Sequence, residues 1–356
     1  MKRLRPILFT LFLMLTVGSL SAEVLVSAKE YGVLGLSAAI IDHYFFITDE
    51  QLQSMTSEKG GWAPIDYPTL SSILEKNKGT AKMLPGGSGA NVIKGMSRLG
   101  QKCAVIGKVG SDDKGDYYAQ KMKDLGIVPL LEKGDLPTGQ AICLITPDGE
   151  RTFRTYLGAS HSLSDLSFDH KIFEKARLFH IEGYQLVDPD LVIRMLKHAK
   201  AAGVIISMDL ANVEIVRRNK EFIHNILDKY VNILFCNERE AKELTDLLAS
   251  EACDKLATFC DVAVVTMSER GSWARSGDEK VYMEALSVNT IDTTGAGDLY
   301  TSGFLHGYLQ GESLRKCAWM GALISAQIVR RIGAEIPQAI WEEIRSTILE
   351  EGKAFD

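Results

Sequence analysis

The sequence predicts an α/β fold of three layers, with helices on both faces of a mostly parallel central sheet and a small β lid beside it. Three observations carry this reading. Short runs rich in Val and Ile alternate with longer stretches of helical periodicity from about Tyr31 onward, the rhythm of parallel strands joined by crossover helices. The strand-like runs are apolar, as strands buried on both faces must be. Two segments interrupt the rhythm, and together they supply the lid.

Taken in order, Lys2, Arg3 and Arg5 precede an apolar run at 7–17 and small residues at 18–22. A basic, then apolar, then small-residue order reads as a secretory signal, and the run is too short for a membrane span. Residues 1–22 are therefore a leader and 23–356 one domain. Strands are expected at 33–37, 104–109, 178–182, 204–209, 233–237 and 263–267, and helices at 91–99, 114–125, 189–202 and 238–248. Asp42 closes the apolar run of strand one. The connection that follows is too long for an ordinary βα loop. Alternating flanks around Pro147-Asp148-Gly149-Glu150 read as a β-hairpin. Lid segments thus lie near 43–84 and 139–158. After Asp292 the pattern is helical to the end, with no linker, internal repeat or low-complexity tract.

Hydrophobic residues make up 46% and charged residues 24%, the balance of a folded globular chain. The net charge of −6 gives no global attraction for nucleic acid. Any anionic ligand must be held by a local set of donors. The six cysteines, at 103, 143, 236, 253, 260 and 317, form no CxxC and suggest no zinc site, so they read as free thiols of a reducing compartment. No G-x-x-x-x-G-K-[ST] occurs, and the nearest stretch, Gly95 to Lys102, lacks the ending. No G-x-G-x-x-G follows a strand, which disfavours a dinucleotide dehydrogenase.

Two glycine clusters remain. Asp292-Thr-Thr-Gly-Ala-Gly-Asp298 opens a helical stretch, and a helix start offers unpaired N–H groups and partial positive charge to a phosphate. An acid at Asp298 is ordinary capping if taken alone. It is also where a base would stand beside an anion hole, deprotonating a nucleophile while the N–H groups hold the group attacked. Gly86-Gly-Ser-Gly-Ala-Asn91 leads into the helix expected at 91–99. Its glycines permit close backbone approach to a ligand, and Asn91 either caps the helix or binds a hydroxyl.

With these residues the chain resembles the ribokinase-like carbohydrate and nucleoside kinases, the PfkB family. Asp292–Asp298 with Tyr300-Thr-Ser-Gly303-Phe304 is similar to the C-terminal signature, Gly86–Asn91 with Arg98-Leu-Gly100 to the N-terminal one, and Asn237-Glu-Arg-Glu240 to the N-x-x-E element. The order and spacing hold from about Gly32 to Pro337. The resemblance implies a ribokinase-like fold and transfer of the γ-phosphoryl of ATP to a hydroxyl. It makes Asp298 the base and the N–H groups of Gly295, Ala296 and Gly297 the anion hole. Asn237 and Glu240 would organise Mg²⁺ through water. Asp42, Gly86, Gly87 and Asn91 would grip the acceptor, with Glu182 facing it. Thr266, Gly271 and Gly333 would border the nucleotide, Gly333 in a loop that sometimes flanks a monovalent cation. Ser268 departs from the pattern, standing where the family usually has glycine, so a side chain there would crowd the phosphates.

The long 43–84 connection and Arg330-Arg331 resemble the adenosine-kinase-like branch, which implies a nucleoside acceptor, with a free sugar as the other candidate. Tyr44, Phe45, Phe46, Trp62 and Tyr156 could stack a base or simply pack the lid. No nucleic acid or membrane partner is expected for the mature domain, which would be a monomer or homodimer. The alternative is a secreted, non-catalytic sugar- or nucleoside-binding protein on the same fold, which suits the leader but leaves Asp298 without a task. ATP chemistry places the protein in the cytoplasm.

Overall fold

A computed structural model describes residues 29–56, 59–77, 82–148, 150–167 and 169–355. The leader-like segment lies outside them. The first strands are β1 (Tyr31–Leu36) and β2 (Ile40–Phe46), followed by α1 (Asp49–Gln53), β3 (Trp62–Pro64), α2 (Tyr67–Lys76) and β4 (Lys82–Pro85). Then come α3 (Ser88–Arg98), β5 (Cys103–Gly110), α4 (Asp113–Asp124), β6 (Ile127–Gly134), β7 (Gly139–Ile145), β8 (Arg151–Tyr156) and β9 (Ala176–Glu182). The second half holds α5 (Pro189–Ala201), β10 (Ile205–Asp209), α6 (Val213–Tyr230), β11 (Ile233–Asn237), α7 (Glu238–Thr245), α8 (Ala249–Leu256) and β12 (Val262–Thr266). It closes with β13 (Ser272–Ser276), β14 (Glu279–Met283), α9 (Ala296–Gln310), α10 (Leu314–Ile328) and α11 (Gln338–Glu350).

Nine strands form the main sheet in the order β14-β13-β12-β11-β10-β9-β1-β5-β6. It is parallel from β12 to β6, and β13 and β14 close one edge as an antiparallel hairpin. One apolar core lies between this sheet and α3, α4, α9 and α10; the other lies under α5 to α8. The three-layer prediction is met. The lid is a second sheet, β3-β8-β7-β2-β4. Its β7–β8 hairpin pairs Ala141 with Thr155 and Ile145 with Arg151 around the expected turn. Phe45, Leu52, Leu70, Ile73 and Leu144 pack the side of this sheet that α1 and α2 cover.

Several boundaries differ from expectation. Asp42 is not on strand one: β1 ends at Leu36, and Asp42 lies on the lid strand β2. Residues 33–41 are apolar or small throughout, so no change of period marks the break. Tertiary hydrogen bonds make it, from Ser37 N to Ile106 O (3.1 Å) and from Ala38 N to the Glu182 carboxylate (2.9 Å). Helix α3 starts at Ser88, not Asn91, with Gly87 as its N-cap at φ 97°. Helix α7 stops at Thr245 because Asp246 turns left-handed at φ 61°. No helix among the described residues is long and apolar enough to cross a membrane. All six cysteines are free thiols.

Candidate active site

Four neighbouring parallel strands end on a polar residue at one rim: Glu182 on β9, Asp209 on β10, Asn237 on β11 and Thr266 on β12. The carboxyl ends of parallel strands are where open α/β sheets bind ligands. Between this rim and the lid lies a cavity of about 390 Å³, which also receives Asp42, Asn91, Arg151 and the start of α9.

Helix α9 begins without a side-chain cap. Its N-cap is Gly295 at φ 74°, and a Cβ there would fall 2.6 Å from Ala334 Cβ, so the turn requires glycine. The turn expected to form an anion hole opens α9. The Ala296 N–H donates to Thr293 O (3.1 Å), which leaves Gly295 and Gly297 as the free donors of the three. Asp298 stands in the first turn of α9. Its Oδ1 accepts from Ser88 Oγ (2.7 Å) and its Oδ2 from Asn91 Nδ2 (2.8 Å). Burial pushes this carboxyl upward, against the two hydrogen bonds and the charge of Lys94. Asn91 is therefore neither a cap nor only a hydroxyl ligand, because its amide aims the carboxylate. Its Oδ1 is buried without a partner, and the cavity beside it is where a donor hydroxyl would satisfy it.

Asp42 faces the same cavity from the lid. Tyr44 Oη donates to its Oδ2 (3.2 Å). A Cβ on residue 86 would lie 2.2 Å from Asp42 Oδ1, and one on residue 87 would lie 2.3 Å from Ala38 O. Both positions therefore require glycine, and Gly87 lines the cavity while Gly86 does not. Burial, partly offset by Lys94, raises the Asp42 carboxyl to about 7. The ionised form is the one that accepts from hydroxyls. Protonation on acidification removes that capacity, so kcat/KM for the acceptor should fall about tenfold per pH unit below this value. A pH profile whose acidic limb lies instead near an ordinary carboxylate value would show that Asp42 does not govern it.

Glu182 lines the cavity, but its oxygens are occupied. They accept from Ala38 N, Gly89 N, Ser37 Oγ (3.2 Å) and Gln185 Nε2 (2.7 Å). It joins the end of β1 to the start of α3, which is a different task from the sugar contact the resemblance implies. At the far end, Asn237 and Glu240 cap α7 reciprocally. Asn237 Oδ1 accepts from Glu240 N (3.0 Å), and Glu240 accepts from Asn237 N (2.9 Å). Burial raises Glu240 to about 7 and raises Asp209 as well. Glu240 is buried and Asp209 half-buried at this end of the cavity. No three His, Cys, Asp or Glu side chains among the described residues converge to cage a metal directly.

Thr266 lines the cavity; Gly271 and Gly333 do not. Gly271 (φ 90°) is a turn residue whose Cβ would meet Met283 O at 2.0 Å. Gly333 (φ 78°) donates to Asp292 Oδ2 (2.7 Å) and so braces the anion-hole loop from behind. Ser268 is exposed and holds a left-handed φ of 52°, a conformation that explains why glycine suits the position. Of the five candidate stacking aromatics only Trp62 lines the cavity, joined by Phe153, Tyr184 and Phe235. Tyr44, Phe45 and Tyr156 pack within the lid, and Phe46 is exposed.

Sequence reasoning missed Asp209, Ser88 and Arg151. Arg151 is the one basic side chain among the described lining residues. It reaches from β8 to the anion-hole loop, where its Nε pairs with Asp292 Oδ1 (3.0 Å) and a terminal nitrogen donates to Thr293 Oγ1. The only signal for it was its place directly after the hairpin turn.

This arrangement serves phosphoryl transfer, and the class is a phosphotransferase with an alcohol group as acceptor. The chain belongs to the pfkB family of carbohydrate kinases, whose model matches residues 68–341. It is 28% identical over 271 residues to a nucleoside kinase of Methanocaldococcus jannaschii, covering 74% of this chain and 85% of that one. It is 30% identical over 298 residues to the probable chloroplastic fructokinase-6 of Arabidopsis thaliana, covering 77% of each. The crystal structure of adenosine kinase from Sinorhizobium meliloti superposes with a TM-score of 0.82 at 31% identity, covering 89% of this chain and 99% of that one. The fold is the ribokinase-like one.

Proposed function

We propose that this protein transfers the γ-phosphoryl group of ATP to a hydroxyl of a nucleoside. The observation that carries the nucleoside assignment is the aromatic wall of Trp62, Phe153 and Tyr184 in the same cavity as Asp42 and Asn91. A base offers a flat π-face for such rings to cover, where a free sugar offers chiefly hydroxyls and a smaller C–H face. Asp42 and the free Asn91 oxygen accept from the acceptor hydroxyls, and Asp298 takes the proton of the attacking one. The Gly295 and Gly297 N–H groups, the α9 N-terminus and Arg151 face the charge on the transferring group. Catalysis of this kind is mainly alignment and charge neutralisation. Mg²⁺, when bound, neutralises phosphate charge, and Asp209, Asn237 and Glu240 would hold its waters. The lid excludes water as a rival acceptor. A pure binder has no use for an aimed carboxylate beside an anion hole. The donor places the enzyme in the cytoplasm, which cell fractionation tests.

The deciding experiment is ATP consumption by the full chain against adenosine, other nucleosides, fructose and ribose. Adenosine-like nucleosides should show the lowest KM, and Trp62→Ala should raise that KM by about 5- to 100-fold, the worth of one stacking contact, with fructose unaffected. Preference for a free sugar, indifferent to Trp62, would assign a sugar kinase.

A further inference from the structure

Ser88, Asn91 and Lys94 recur every third residue on α3 and so share one face of it. The first two hold Asp298. Lys94 is 6% exposed, and its Nζ donates to Pro85 O (2.6 Å), the carbonyl directly before Gly86 and Gly87. It does not line the acceptor cavity. It lines a second cavity of about 180 Å³ behind it, with Asn91, Arg98, Lys121 and Glu335. A buried ammonium is costly unless opposite charge surrounds it, and here Asp42, Asp298 and Glu335 do so without a direct ion pair.

We propose that Lys94 is a positioning residue of the acceptor site: it anchors the turn that presses Gly86 onto Asp42 and supplies the buried positive charge that keeps Asp42 able to accept hydroxyl hydrogen bonds. This rests on the reading that Asp42 grips the acceptor. The groups facing Asp42 are Tyr44 on its own strand, Cys143 on β7, Tyr118 on α4, Lys94 on α3, Asp298 on α9 and Glu335 before α11. Of these only Lys94 is cationic. Without it, only the Tyr44 hydrogen bond offsets burial and the two neighbouring carboxylates.

The test is the pH profile of kcat/KM for adenosine, or for fructose if the panel selects it, with the KM of ATP measured alongside. Lys94→Met should move the acidic limb toward alkaline pH by about one unit or more, and Lys94→Arg should keep it in place. Glu335→Gln, which removes a neighbouring negative charge, should move the limb the other way. The KM of ATP should stay within about twofold. A folded Lys94→Met whose acceptor KM rises equally at all pH values overturns the proposal and leaves Lys94 a packing residue. If Lys94→Met does not fold, an unmoved limb in Glu335→Gln overturns it. Asp42→Asn separates the two readings. If it leaves the limb in place, the acceptor assignment itself is wrong and the proposal falls with it. If it abolishes the limb, only the role of Lys94 is at stake.

Discussion

Asp298→Asn should lower kcat by about 10²–10⁴ and leave the KM of ATP nearly unchanged. The substitution keeps the shape of the side chain and its place in the first turn of α9. It removes the basic oxygen and sets an NH₂ against Ser88 or Asn91, which now donate to the two carboxylate oxygens. The proton of the attacking hydroxyl then has no acceptor. ATP binding should not suffer, because a negative charge beside the phosphate site has been deleted. Single-turnover kinetics isolate the chemical step, and near-wild-type phosphoryl transfer in this variant would remove Asp298 as the base.

Asp42→Ala should raise the acceptor KM by about 10- to 150-fold, the worth of about 1.5–3 kcal/mol of charge-assisted hydrogen bonds. The KM of ATP should change little, since the proposed nucleotide end of the cavity, at Asn237, Glu240 and Thr266, is built from other elements. Either substitution leaves Lys94 with one carboxylate fewer, and Asp42→Asn is the milder companion because it keeps the shape of the side chain. An unchanged acceptor KM in a folded Asp42→Ala would place the acceptor elsewhere.

The parallel sheet was legible because buried strands leave a local signature in apolar runs such as 178–182 and 233–237. The β7–β8 hairpin was legible because a Pro-Asp-Gly turn is encoded within a few residues. Strand β6 was not: Pro129, Glu132 and Lys133 break the apolar run. The exit from β1 was not either, since Ser37 and Ala38 bend there only because Ile106 and Glu182 lie across from them.

The sequence by itself determined the family and the fold class, and it pointed to the glycine turn at 295–297 and to Asp298, Asp42 and Asn91, which the structure brings to one cavity. These follow from short motifs whose chemistry is local: glycines where a Cβ would clash, and an acid in the first turn of a helix. Only the tertiary structure decided what each residue does there. Asn91 aims Asp298, Glu182 braces α3, Gly271 and Gly333 shape turns outside the cavity, and Arg151 and Asp209 join the site from distant segments. The reason is physical. A hydrogen bond such as Asn91 to Asp298 spans 207 residues of chain, and burial, which raises Asp42 and Glu240 to about 7, depends on everything packed around a group rather than on its neighbours in sequence.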